Sequence, residues 1–106
     1  MTAVSRRQKL EAMLLGSPSD QMLRYMLAME LDKVAEHDRS LELFGGLMSD
    51  APPYVPAFLM AGQLFARLER LEEARSTYRT GILEAQRQGN DHAAGEMTGF
   101  LQSLDV

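Results

Sequence analysis

Residues 20–53 can be laid over residues 54–87 at an offset of 34 with no gap. Ala28 falls on Gly62, Leu31 on Phe65, Ser40 on Ala74 and Phe44 on Tyr78, with Leu27 on Ala61 and Val34 on Leu68. Small residues meet small ones, and large apolar residues meet large apolar ones. The N-terminal segment joins the same register one period earlier: Leu10 falls on Phe44, Met13 on Leu47 and Pro18 on Pro52. A period of this length constrains the fold more than any composition could. Each repeat is one supersecondary unit that cannot bury its apolar faces alone, so neighbours must stack.

The units read as helices. Breakers stand at Gly16-Ser17-Pro18, Ala51-Pro52-Pro53 and Gly89-Asn90-Asp91. Between them Ala, Leu, Met, Glu, Gln and Arg dominate, residues that lose little side-chain freedom in a helix. No alternating β-type run occurs. Leu23, Met26, Leu27 and Leu31 follow helical spacing and lead to Val34. After the polar break Glu36-His37-Asp38, Leu41, Phe44, Leu47 and Met48 start a new stripe. Phe58, Ala61, Phe65 and Leu68 repeat the pattern, and after Glu69-Arg70 come Leu71, Ala74, Tyr78 and Leu83. Each period therefore predicts helix, short turn, helix. Gln86 stands where a proline stop would fall, so the last of these helices should run on to Gly89.

Phe58, Ala61, Gly62 and Phe65, followed by Ala74, Tyr78 and Gly81, resemble the tetratricopeptide repeat, whose period is 34 residues. Arg24, Leu27, Ala28, Leu31, Ser40, Phe44 and Leu47, closing on Pro52, repeat the match more weakly. Arg24 is not aromatic, Leu47 is bulky where a small residue is usual, and Gln86 replaces the terminal proline. The resemblance implies an all-α solenoid in a single domain, 1–106. A helix at 5–16 precedes repeat one (20–53) and repeat two (54–88), and a capping helix follows at 90–104, begun by Asn90 or Asp91. In that cap Ala94, Met97, Leu101 and Leu104 should face inward, with His92, Glu96 and Gln102 outward. Gly62 and Ala74 should be small because two helices cross closely there. Phe65 and Tyr78 should be buried between neighbouring pairs.

Several functions are disfavoured by what the residues lack. The formal net charge is −4 and no basic block occurs, which argues against a nucleic-acid partner. No apolar stretch approaches the ~20 residues that span a bilayer, so a membrane partner is not expected. Ser5-Arg6-Arg7 superficially resembles an export signal, but Lys9 and Glu11 interrupt the apolar region that such a signal needs. There is no Cys, which fits a reducing, cytoplasmic setting. His37 and His92, beside Asp38 and Asp91, are expected to be solvated residues at helix starts, since no further ligands converge on them. No phosphate loop and no nucleophile–base pair is present. Neither a catalytic site nor a metal nor a cofactor is expected.

The eight Met residues are the one compositional oddity. Met22, Met26, Met29 and Met60 lie on the first helices of the two repeats; Met26 and Met60 read as core fillers. The resemblance implies that first helices line a concave groove, through Met22, Tyr25, Met29, Asp32 and Lys33 in repeat one. In repeat two the same places hold Pro56, Leu59, Gln63, Ala66 and Arg67. That is an apolar, Met-bearing floor with Lys33 and Arg67 along one edge, and flexible thioethers suit adaptable recognition of an apolar peptide. The expected binding residues are Met22, Tyr25, Met29, Lys33, Leu59, Gln63 and Arg67. Tyr25 and Met29 stand where family members that clamp chaperone-tail carboxylates carry Lys and Asn, so that role is not implied. The expected function is an adaptor that binds a peptide or partner helix in this groove. The alternative is a self-associating module that uses the same surface to form a homodimer.

Overall fold

A computed structural model describes residues 4–105, and its six helices follow one another through short turns. They are α1 (Arg6–Gly16), α2 (Gln21–Lys33), α3 (His37–Met48), α4 (Val55–Arg67), α5 (Leu71–Arg87) and α6 (Asp91–Leu104). No strand occurs among the described residues. Each helix packs on the next, and α4 also touches α6. Packing of neighbour on neighbour draws the molecule out to 50 × 28 × 19 Å, the shape of a short solenoid.

The helix starts follow from local chemistry. Ser5 caps α1 reciprocally: its hydroxyl accepts from the Gln8 amide, and the Gln8 side chain accepts from the Ser5 amide. Asp20 accepts from the Leu23 amide, and Asn90 from the Ala93 amide. Pro56 sits in the first turn of α4, where a missing N–H costs nothing. The starts of α3 and α5 have no side-chain cap.

Those two helices begin instead from a shared backbone corner. Ala35 and Glu69 occupy the left-handed region, at φ 61° and 59°, and Gly89 does the same at φ 76°. In each corner the amide two residues past the helix cap reaches back five residues: Glu36 to Leu31 O, Arg70 to Phe65 O and Asn90 to Ala85 O, at 2.8–2.9 Å. The amide before it closes a second bond, to Asp32, Ala66 and Gln86 respectively. Carbonyls that a helix end would leave unpaired are satisfied this way. Only Gly89 is a glycine, although the left-handed region favours that residue.

The core is a chain of three clusters. Leu10, Leu27 and Leu31 join α1 to α2. Ala28, Phe44, Leu47, Ala57, Ala61 and Leu64 join repeat one to repeat two. Val55, Phe58, Ala74, Tyr78, Ala85, Ala94 and Met97 join α4, α5 and α6. Gly62 is small for the expected reason: a Cβ there would lie 2.4 Å from the Tyr78 ring. A Cβ on Gly81 would lie 2.5 Å from Phe58 Cβ and 2.6 Å from Met97 Sδ, so α4, α5 and α6 meet at that point. In repeat one Ser40 replaces the small apolar residue, and its hydroxyl donates to Ala28 O at 2.6 Å.

Some expectations need correction. Phe65 is only half-buried; the Arg70 guanidinium lies 4.9 Å from its ring centroid and covers the open side. Val34 and Leu71 are exposed because each sits at a helix end, and Leu83 because it lies off the buried Ala74–Tyr78–Gly81–Ala85 stripe of α5. Met13 is exposed although it falls on buried Leu47. In α6, Ala94 and Met97 are buried, Leu101 and Leu104 pack partly against them, and His92, Glu96 and Gln102 face out. His37 is not simply solvated. Its Nδ1 is buried and has no hydrogen-bond partner among the described residues, although Asp32 Oδ1 is 3.3 Å away.

Candidate peptide-binding face

The expected binding residues sit on α2 and α4. Met22, at the start of α2, is 62% exposed. Tyr25 and Met29, one and two turns on, are half-buried, with one edge against the core cluster that joins the two repeats. The Tyr25 ring lies 5.3 Å from that of Tyr54 and 6.1 Å from that of Phe44, both tilted, so three aromatics form one group. Burial, and then the neighbouring Tyr54, push the Tyr25 phenol above its ordinary pKa, so it stays a neutral donor and acceptor. Leu59 is half-buried against the Phe58–Tyr78 cluster.

Gln63 and Arg67, with Ala66, line a hollow of about 290 Å³. Its other walls are Tyr78 from α5 and Phe100, Ser103 and Leu104 from α6. The sequence reading missed this α6 contribution. Phe100 stacks on Tyr78 with centroids 6.0 Å apart and planes 14° apart. The signal was present: Phe100 is a large apolar residue off the inward stripe of its helix.

The basic edge differs from expectation. Arg67 donates to both Asp32 oxygens, at 2.6 and 3.4 Å, across the 35 residues that separate them. Lys33 pairs with Glu30 at 3.2 Å, and Glu30 also takes Arg6 at 2.9 Å. Asp32 presents its carboxylate to Arg67 on α4, and Glu30 meets Lys33 one turn along α2, so the edge is neutralised from within. What remains is an apolar strip with paired charges along its margin.

Where α2 meets the end of α3, a concave place is polar and closed by an ion pair. A hollow of about 420 Å³ is lined by Ser19, Gln21, Arg24, Asp50, Ala51 and Pro52. Inside it Arg24 donates to both Asp50 oxygens, at 2.6 and 3.2 Å, and Gln21 adds a bond to the same carboxylate. The Arg24 hydrogen bond, and then that of Gln21, hold the Asp50 carboxyl below its usual pKa. Among the described residues no group of three or more His, Asp or Glu could hold a metal ion, and no helix is long and apolar enough to cross a membrane.

A tetratricopeptide repeat domain protein from Salinibacter ruber, in its solution structure, superposes on the chain with a TM-score of 0.77 at 33% identity. The match covers 82% of this chain and 88% of that one. The chain belongs to the tetratricopeptide repeat family. A crystal structure of a tetratricopeptide repeat domain protein from the same organism gives a TM-score of 0.74 at 32% identity, covering 82% of this chain and 97% of the other. The solution structure of a Bordetella parapertussis protein gives 0.81 at 23% identity, covering 97% and 90%, and shows the same fold. No protein-family model and no curated protein matches the chain. The family consists of helical repeats that serve in general as protein–protein interaction modules and are typically non-catalytic.

Proposed function

We propose that this chain acts as one domain, a non-catalytic adaptor that binds an apolar peptide or partner helix along the first helices of its repeats. The proposed floor is Met22, Tyr25, Met29, Leu59 and Gln63, with Lys33 and Arg67 at its margin and the hollow beside Phe100 at its far end. One observation carries this reading. Tyr25, Met29 and Leu59 each rest one edge on the core and keep the other open, on neighbouring helices. An apolar strip of this kind marks an interface. Two aromatic or aliphatic anchors can supply most of its affinity. Since the charges at the margin are already paired, the partner is selected by apolar shape rather than by net charge. With net charge −4 and no Cys, the setting we propose is the cytoplasm, with neither nucleic acid nor membrane as partner.

The test is the double substitution Tyr25→Ala, Leu59→Ala in a pull-down read by mass spectrometry, with helicity followed by circular dichroism. The expected result is loss of the captured partner with helicity retained. Unfolding of the double variant would place these residues in the core and end the groove reading. Conversion of a dimer to a folded monomer would show that the strip pairs two copies instead.

A further inference from the structure

The described helices alternate in role along the solenoid. α2 and α4 are the first helices of their repeats, and α3 and α5 are the second. α1 packs on α2 through Leu10 and Leu14, as a second helix placed ahead of repeat one. α6 packs on α5 and also touches α4, as a first helix placed after repeat two. One end of the solenoid therefore shows the outer face of a second helix, and the other end shows the outer face of a first helix. These are the two kinds of surface that meet inside each repeat.

Both end faces carry apolar groups. In repeat one Leu47 is wholly buried, whereas its equivalent on α1, Met13, is 55% exposed. On α6 the outer face has a concavity of about 340 Å³ lined by Gly95, Glu96, Gly99, Phe100 and Ser103. The ends also differ in charge. On α1 Arg6 is paired with Glu30 and Arg7 with Glu11 and Glu36, which leaves Lys9, whereas α6 has Asp91 and Glu96 and no Lys or Arg. Lys9 is exposed and makes no ion pair among the described residues.

We propose that the outer face of α6 in one copy docks on the outer face of α1 in a second copy, so that the chain assembles head to tail. Lys9 at the α1 end attracts Asp91 and Glu96 at the α6 end, while like ends repel, which selects the polar arrangement over a symmetric one. A contact between unlike surfaces does not close on itself, so association continues into open chains of copies. On α6 this surface shares Phe100 and Ser103 with the hollow at the far end of the α2–α4 strip, and it leaves Tyr25, Met29 and Leu59 free.

Sedimentation velocity over a concentration series tests the idea. The wild-type chain should show a mass that rises steadily with concentration and falls back as salt is added. Met13→Glu blocks the α1 end, and Gly99→Lys blocks the α6 end. Both positions are exposed, and a Cβ on Gly99 meets nothing within 4 Å, so both variants should keep their helicity. Each variant alone should be limited to monomer, and the two mixed should give a one-to-one dimer and nothing larger. Lys9→Glu should weaken wild-type association, and Lys9→Glu mixed with Glu96→Lys should restore it. A wild-type chain that stays monomeric at millimolar concentration overturns the proposal. So does a mixture of blocked variants that fails to pair, or association that survives both blocks and is lost with Tyr25→Ala, Leu59→Ala.

Discussion

The two repeats share one backbone and close it with different chemistry. In repeat two the crossing of α4 and α5 is set by size: Gly62 lies under the Tyr78 ring, and Gly81 under Phe58. In repeat one the equivalent crossing uses Ala28 and Ser40, and a buried hydroxyl bond replaces part of the close apolar contact. Where repeat two seats Phe58 in its core, repeat one has Arg24, drawn aside to Asp50. Leu47 then fills volume that Gly81 leaves to Phe58 and Met97. The crossing is thus a geometric requirement that either close packing or a polar bond can meet. The two solutions should fail differently, because crowded contacts are intolerant of added atoms while a lost hydrogen bond costs ~0.5–1.5 kcal/mol.

The sharpest break should come at Gly62. Gly62→Ala gains ~1 kcal/mol of helix propensity, yet places a methyl 2.4 Å from a fully buried ring. We predict a net loss of ~2–3 kcal/mol, seen as a drop of ~10 °C or more in thermal melting. Gly62→Leu should cost more still. Adding Tyr78→Leu should recover part of the Gly62→Ala loss, and strict additivity of the two would show that the ring is not the obstacle.

Repeat one should respond more mildly. Ser40→Ala removes the bond to Ala28 O and leaves the residue type that repeat two already uses. A loss of ~1 kcal/mol is expected in chemical denaturation, and a loss as large as that of Gly62→Ala would erase the distinction drawn here. The corners should move the other way. Ala35→Gly and Glu69→Gly each relieve a left-handed non-glycine residue and should stabilise by ~1 kcal/mol, while Gly89→Ala should cost about as much. Melting temperatures that fall in the first two variants would mean that the side chains, not the backbone, hold these turns.

The smallest difference concerns pH. Asp50 is held below its ordinary pKa by Arg24 across 26 residues, whereas its repeat-two equivalent, Glu84, is held down chiefly by nearby Arg87. A depressed carboxyl contributes stability above its unfolded pKa, and loses it as pH falls through the folded one. Melting should therefore weaken below about pH 4. Asp50→Asn should flatten that dependence more than Glu84→Gln does, because only the Asp50 pair ties α2 to the end of α3. Equal flattening would make the long-range pair no different from the local one.

The 34-residue register was legible because it is written in residue size. Ala28 and Gly62, Ser40 and Ala74, Phe44 and Tyr78 are all buried as their spacing requires. The cap stripe of Ala94, Met97, Leu101 and Leu104 was legible for the same reason. Helical spacing overstated the edges: Val34 and Leu71 fit the period but sit at helix ends, while Leu83, five residues past Tyr78, falls off the stripe that Gly81 and Ala85 continue. The ion pairs were not legible. Arg24 and Arg67 reach partners 26 and 35 residues away, and a long flexible side chain has no periodicity that points to its partner. The half-exposure of Tyr25 and Leu59 agrees with an open face. The closing of that face by Phe100 depends on how α6 is seated, which no single-helix pattern encodes.

The three backbone corners have a consequence for how such a chain can change over generations. Val34-Ala35-Glu36, Leu68-Glu69-Arg70 and Gln88-Gly89-Asn90 share no residue at any position, yet close the same two amide bonds. Because main-chain atoms do the closing, most substitutions there keep the architecture at a cost of about 1 kcal/mol or less, apart from Asn90, which also caps α6, and Arg70, which also covers Phe65. Heritable variation can thus accumulate at one rim of the molecule while Gly62 and Tyr78 stay under strict purifying constraint.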